Sequence, residues 1–522
     1  MSTLILGAGH NALVAAYYLA KAGRKPIVLE RRAEVGGGAI TGELAPGFRV
    51  PTLTHEVLLH HRIVSELALA RHGLELLTSA VDTCALDPSG GPPVVLYEDP
   101  ARSVESLARV NPRDAQAYAD YRAVLERLVP VVASLLGHAA PGLSHLRTGD
   151  VWHLLLTARA FRGFGRVDAR RLLRWLPMPV ADLMDEWFEH DLLKATIAAP
   201  ALSGTMRGPR SAGSTLVMFL REAHMHLARA RGLRARGGPG AVTRALAAAA
   251  VGAGAEIRTS SGVDRILVNG ARVIGVVAGG QEIPATTIVS GLDPRSTFLG
   301  LLDPGVLDAE FSTRMRNYRA RGALAKLNLA LSGLPAFRGV ALDPGLLSGR
   351  IHLGPTLDYL ERAFDRIKYG ELPRDPWLQV SLPSILDPGL APRGAHVASV
   401  YVHYAPYHLA DNTWARAKVT LERSALDVLE GYAPGIRGQV VAAEFITPDE
   451  LEHEYGFAGG HVFHGELAPD QLFSMRPQLG YERYATPIQG LFLCGAGTHP
   501  GGFMTGTSGR LAARAVLETT SR

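Results

Sequence analysis

Three glycine clusters and a few isolated polar residues carry the chemistry this sequence could do. Near the N-terminus, Gly7-Ala-Gly9-His-Asn11-Ala12 has the Gly-x-Gly-x-x-Ala spacing of a dinucleotide turn. Gly7 permits the tight turn, Gly9 lets the backbone approach a pyrophosphate, and Ala12 is small enough for helix–strand packing. The N–H groups opening the following helix would face the phosphates. Glu30 follows Gly9 by 21 residues, at the end of a second apolar run. There its carboxylate can accept hydrogen bonds from both hydroxyls of an adenosine ribose, and its charge disfavours the 2′-phosphate of NADP. Taken alone the glycine turn is weak, because such turns often join strands to helices. With Glu30 in place it becomes specific.

A second cluster, Gly36-Gly37-Gly38, lies six residues beyond Glu30. Nicotinamide enzymes need no further glycine turn here. Flavoproteins do, because FAD runs on past the pyrophosphate and the backbone must stay close to it. The third cluster is the stretch from Gly490 to Gly506, containing Gly495, Gly497, Gly501 and Gly502, which opens a terminal helix. A helix N-terminus aimed at a flavin would stabilise the negative charge of its reduced form. The competing reading of this loop is purely structural.

Lys326 is one of only six lysines and sits in an otherwise apolar strand pattern, so it must find partners or lose its charge. It could orient water near a flavin or help the reduced flavin react with oxygen; the competing reading is a strand lysine that faces solvent or pairs with a carboxylate. His403, flanked by Val402 and Tyr404, reads as a packed core residue or a base. His55, His60, His61, His464 and His499 show no metal-ligand spacing, and His60-His61 reads as a surface pair. No metal site is expected.

These residues need a scaffold. Thr3–Leu6, a helix through Ala20 closed by Gly23, and Pro26–Leu29 form a βαβ unit with a parallel sheet. Residues 104–235 have helical patterning, including Leu125–Leu136, Val151–Phe161 and Val180–Leu193. Ala241–Ala250 reads as a helix, followed by strands Ala255–Arg258, Val263–Val268, Val273–Val277 and Thr287–Val289. Asn269-Gly270 is a hairpin signal. Further strands are expected at Ala323–Leu331, Leu378–Leu382, Val397–His403 and Gly490–Cys494. The fold class is therefore α/β, a Rossmann-type nucleotide-binding domain with an inserted α+β substrate domain. The first comprises residues 1–60, 236–300 and 480–522. The second comprises 61–235 and 301–479, with its helical part at 104–235.

The Gly-Ala-Gly-Thr-His-Pro-Gly run from Gly495, together with the N-terminal fingerprint and Glu30…Gly36-Gly37, resembles the bacterial phytoene desaturase family of FAD oxidoreductases. More of the chain resembles a related branch, with carotenoid ketolases and pyridine nucleotide-disulphide oxidoreductase domain-containing proteins. That likeness is carried by Thr41–Phe48, Arg236–Ala241, Gly459–Gly465, Asp470-Gln471 and Arg476-Pro477. The resemblance implies an amine-oxidase-like two-domain fold with non-covalent FAD. It places Gly7, Gly9, Ala12, Glu30, Arg31, Gly36, Gly37, Val263, Gly495 and Gly502 at FAD-contacting positions, Val263 through its backbone. Asn11, Gly38 and Gly497 stand in the same motifs and join the candidate set. By the same resemblance Lys326 is similar to a lysine that holds water against the flavin. Phe503 stands where the family has glycine, which implies a reshaped substrate pocket.

Composition narrows the class. The 522 residues are 47% hydrophobic and 20% charged, which excludes disorder, and two cysteines exclude a disulfide scaffold. Of the 54 cations, 48 are Arg, scattered among acidic residues, so no nucleic-acid partner is expected and the bias fits a GC-rich bacterial genome. No apolar run reaches membrane-spanning length and no signal peptide is visible, so a cytoplasmic protein is expected. The apolar helices around 124–136 and 151–161 are the candidates for peripheral membrane contact. The function expected is an FAD-dependent oxidoreductase that removes a hydride from a small hydrophobic substrate, foremost a desaturation of a polyene, isoprenoid-like or natural-product substrate. Oxygen or a quinone would be the electron acceptor. The alternatives are an amine or alcohol oxidase, a carotenoid ketolase, and a non-enzymatic FAD-binding interaction protein.

Overall fold

The computed structural model describes residues 2–142, 165–340, 343–411 and 413–520. Its first part is organised by a five-stranded sheet, ordered Leu491–Leu493, Thr287–Ser290, Thr3–Leu6, Ile27–Leu29, Glu256–Arg258, with every pair parallel. Strand alternation decides what covers each face. Ile5, Val28, Val289 and Phe492 pack against the helices His10–Lys21, Pro239–Gly252 and Thr507–Thr520. Leu4, Leu6, Leu29 and Ile288 pack on the opposite side, against a three-stranded antiparallel sheet and the helix Ala309–Asn317. That smaller sheet, Val263–Asn269, Arg272–Ala278 and Gln281–Pro284, turns at Gly270 (φ +59°), as the Asn-Gly pair requires.

The second part is built on a seven-stranded mixed sheet, ordered Val440–Ile446, Leu324–Leu331, His396–His403, Trp377–Ser381, Arg350–Leu353, Val81–Ala85, Val94–Tyr97. Ala325, Leu327, Leu329 and Leu331 share a core with the apolar side of the helix Trp414–Tyr432. The alternate residues Lys326 and Asn328 are oriented the other way, toward the hairpin Thr41–Ala45/Phe48–Pro51 and its exit at Thr52. Pro112–Leu136, Val180–Trp187, Asp191–Leu202 and Ser214–Ala228 form the helical layer with its own core.

Two expectations change here. The helix expected over Val180–Leu193 is two helices, because Phe188 is extended (φ −131°, ψ 153°). The buried Asp114 carboxylate accepts from Glu189 N and His190 N at 2.8 Å each, which stabilises the break. His60 is buried rather than on the surface; its Nδ1 accepts from Arg62 N and its ring stacks on His61. The helix expected at Val151–Phe161 lies outside the described residues. Among the described residues, no helix is long and apolar enough to cross a membrane. Cys84 and Cys494 are both free and buried.

Candidate active site

A cavity of about 440 Å³ runs between the two parts. One end is made of backbone. The strand Thr3–Leu6 enters Gly7 in the left-handed region (φ +81°), and Gly9 caps the following helix without any side chain over its N–H groups. The second glycine turn docks on the first: Gly36 N donates to Ala8 O at 3.0 Å, and a Cβ on Gly37 would lie 3.2 Å from Gly9 Cα. A Cβ on Gly9 would meet nothing within 4 Å, because that position faces the cavity. This is the open cradle a pyrophosphate needs. Glu30 is buried at the same end, with Oε2 accepting from Ala8 N (2.7 Å) and Oε1 from Arg32 N (2.9 Å). It therefore braces the first glycine turn, and each oxygen keeps a lone pair for a ribose hydroxyl. Arg31, Gly262 and Val263 complete this end, and Arg31 Nη2 donates to Glu454 O at 2.7 Å.

The middle of the cavity holds Asn11, Ala12 and Gly38 on its wall, with His10 beside them. Asn11 Oδ1 and His10 Nε2 are buried with no hydrogen-bond partner. Burial and, second, His464 bring the His10 pKa down to about 4, so it is neutral. These orphaned polar atoms, with the open Gly9 position, fit a bound dinucleotide.

Several expected residues do not line the cavity. A Cβ on Gly495 would sit 2.6 Å from Leu292 O, and one on Gly497 would sit 2.3 Å from Pro294 Cδ. Both glycines let the C-terminal loop press against residues 291–294; Ala496, Phe503 and Met504 supply its share of the wall. Gly36 and Gly502 also stand behind the wall, at φ +140° and +62°.

The other end is a chamber of side chains, including Leu53, Leu58, Leu324, Val462, Phe463, Phe503 and Tyr401. Phe503 is held at φ +46°, a conformation suited to glycine, with its ring 5.0 Å from Phe463 and 5.3 Å from His224. Glu56 and Arg221 stand in this wall. Glu56 Oε1 accepts from Arg221 Nη2 and, at 2.9 Å, from Arg350 Nη2. Burial alone would raise the Glu56 pKa, but the two guanidiniums hold it well below the usual carboxylate range.

Lys326 and His403 need correcting as catalytic candidates. Lys326 is buried behind the wall, and as an ammonium its three N–H groups go to Pro51 O (3.0 Å), Asn328 Oδ1 (3.0 Å) and Ser399 Oγ. No donor remains to orient a water. Burial, partly opposed by Glu444, lowers its pKa to about 7. His403 stacks on Trp377 at 3.8 Å between ring centres, with Nε2 3.3 Å from Gln379 Oε1, away from the cavity. Sequence reasoning missed Glu56, Arg221, Tyr401 and Phe463. The signal available was Arg221, a charge directly following the apolar run Leu216–Leu220 of a buried helix.

A glycine-built cradle suited to a dinucleotide thus opens into a largely apolar chamber. Residues 5–64 match the family described as NAD(P)-binding Rossmann-like domain. The whole chain is similar to pyridine nucleotide-disulfide oxidoreductase domain-containing protein 2 of Rattus norvegicus, 34% identical with 98% of this chain and 93% of that protein covered. The chain belongs to that family. It is also similar to the lycopene-forming phytoene desaturase of Pseudescherichia vulneris, 25% identical over 99% of this chain and 98% of that one. An oxidoreductase crystal structure from Methanosarcina mazei shares the fold, with a TM-score of 0.63, 18% identity, and 99% and 100% of the two chains covered. The protein is thus an FAD-dependent oxidoreductase related to the phytoene desaturases.

Proposed function

We propose that this enzyme dehydrogenates a small hydrophobic substrate, with formation of a C=C bond as the favoured reaction. The observation that supports it most is the continuity of the cavity, from the Gly7–Gly9 turn to the apolar chamber walled by Leu324, Phe463 and Phe503. In this reading residues 1–60, 236–300 and 480–522 hold the cofactor, and 61–235 with 301–479 enclose the substrate, joined in the chamber wall by Leu53, Glu56, Leu58 and Phe503 from the cofactor-holding part. Gly7, Gly9 and Gly37 bring backbone to the pyrophosphate, Glu30 takes the ribose hydroxyls, and Val263 borders the adenine. FAD, when bound, supplies the hydride acceptor. The chamber residues position the substrate and exclude water, and most of the rate comes from that positioning and desolvation. His10, His224 and His464 are all held neutral by burial, with pKa values lowered to about 4, 3 and 3, so none donates a proton near neutral pH. Phe503 narrows the chamber, which favours a substrate smaller than a full linear polyene. Reoxidation by oxygen or a quinone completes the proposal.

The test is anaerobic titration of the purified holoprotein with polyenes, monoterpenoid-sized alkenes, amines and alcohols, followed by the visible flavin band. Bleaching by an alkene or saturated isoprenoid, with a product carrying one further C=C bond, is expected. Bleaching by amines or alcohols alone would replace desaturation by C–N or C–O oxidation.

A further inference from the structure

The chamber contains a charged device that an entirely apolar substrate would not need. Arg221 is nine-tenths buried or more (5% side-chain exposure), forms part of the cavity wall, and lies on the helix Ser214–Ala228. Arg350, 7% exposed, comes from the strand Arg350–Leu353 and shares the same Glu56 oxygen. Two guanidiniums on one carboxylate oxygen leave donors over: Arg221 Nε and Arg350 Nε are both buried without a hydrogen-bond partner. Arg234, also buried, lies within electrostatic reach of Glu56 and Arg350, and Asp82 lies within reach of Arg234 and Arg350. The local group therefore holds three guanidiniums against two carboxylates, one positive charge in excess. Nearby, Arg122 and Arg231 pair with Glu222, and Arg231 also lies within electrostatic reach of Asp82, Glu98 and Arg350; with these included, five guanidiniums face four carboxylates and the same excess remains.

An uncompensated buried charge and unsatisfied buried N–H groups are unfavourable. A negatively charged ligand group at the Arg221 wall would relieve both, as charge-assisted hydrogen bonds to guanidinium do. The neighbouring wall, Leu58, Phe503 and Tyr401, stays apolar or aromatic. We propose that the substrate is amphipathic, a hydrophobic body ending in an oxyanion such as a carboxylate or phosphate, and that Arg221 binds this group while Glu56 and Arg350 hold Arg221 in place. This deepens the functional reading above and rests on it, because it takes the chamber as the substrate's end of the cavity.

Binding of octanoate, octyl phosphate and octanol to the FAD-loaded protein, measured by isothermal titration calorimetry at neutral pH, tests the proposal. These ligands share one alkyl chain and differ in the head group. The wild type is expected to bind at least one of the two anions about tenfold or more tightly than octanol. The tighter of the two anions identifies the head group as carboxylate or phosphate. Arg221→Met is expected to remove the preference, and Arg221→Lys, which keeps the charge but not the planar fork, to retain part of it. Equal binding of all three ligands by the wild type overturns the proposal even if the variants fail to fold. An unchanged preference in both folded variants overturns the role of Arg221. FAD content, read from the visible spectrum of each sample, separates the two levels. A yellow protein without anion preference refutes only this inference, whereas a chain that takes up no FAD refutes the reading of the cavity itself.

Discussion

The two ends of the cavity are made of different materials. At the fingerprint end the wall is backbone: Gly7 and Gly37 occupy left-handed conformations and Gly9 presents bare Cα to open space, all within one βαβ unit and its exit. At the chamber end the wall is side chains, with Glu56, Arg221, Leu324, Tyr401, Phe463 and Phe503 drawn from stretches spread over more than 400 residues of chain. At a backbone wall an added Cβ either meets backbone, as at Gly37, or enters the cavity, as at Gly9, so its chemistry is fixed by its glycines. A wall of side chains changes shape and charge with single substitutions. The first end therefore defines the cofactor, and the second defines what is oxidised.

The largest effect is expected from breaking the chamber alone. Glu56→Gln leaves two buried guanidiniums without their shared carboxylate, at a cost of about 3–5 kcal/mol of stability, measured by chemical denaturation. Because the folded pKa of Glu56 is depressed, its contribution is full above the ordinary value of 4.5 and is lost as pH falls below it. The stability gap between wild type and variant must therefore close in acid. FAD content of the folded variant should be unchanged, since the Glu56 carboxylate bonds to Arg221 and Arg350 and not to the glycine turns.

Breaking the other end should do the reverse. Gly9→Val is compatible with φ −69° and with the open space around its Cβ, so the melting temperature should hold. The new side chain occupies cofactor space, and overpacking of about 1–3 kcal/mol corresponds to an FAD affinity about 5- to 150-fold weaker, measured by flavin fluorescence. A variant that melts earlier yet binds FAD normally would erase the distinction between the two ends. The smallest effect is expected at Phe503→Gly. Loss of buried aromatic area and relief of a left-handed φ oppose each other, leaving a stability change of about 1 kcal/mol or less. The chamber should widen and accept bulkier substrates, read as a shift in the rank order of the titration panel.

The same contrast decides what was legible in the sequence. Gly7, Gly9, Glu30, Gly36 and Gly37 announce themselves because their spacing is local and their residue types are dictated by turns. The Asn269-Gly270 hairpin is legible for the same reason. The strand Arg350–Leu353 is hidden, since its Arg350 and His352 are buried polar residues and its parallel partner Val81–Ala85 is remote in sequence. The helix break at Phe188 depends on Asp114, a long-range contact that periodicity does not carry. Lys326 was visible as an oddity, but its commitment to Pro51, Asn328 and Ser399 exists only once the hairpin exit meets the large sheet.

The most direct test is the visible spectrum of the purified protein, followed by heat release and identification of the flavin. About one FAD per chain, released without covalent attachment, is the predicted result. A colourless protein that stays free of flavin after incubation with excess FAD would contradict the account.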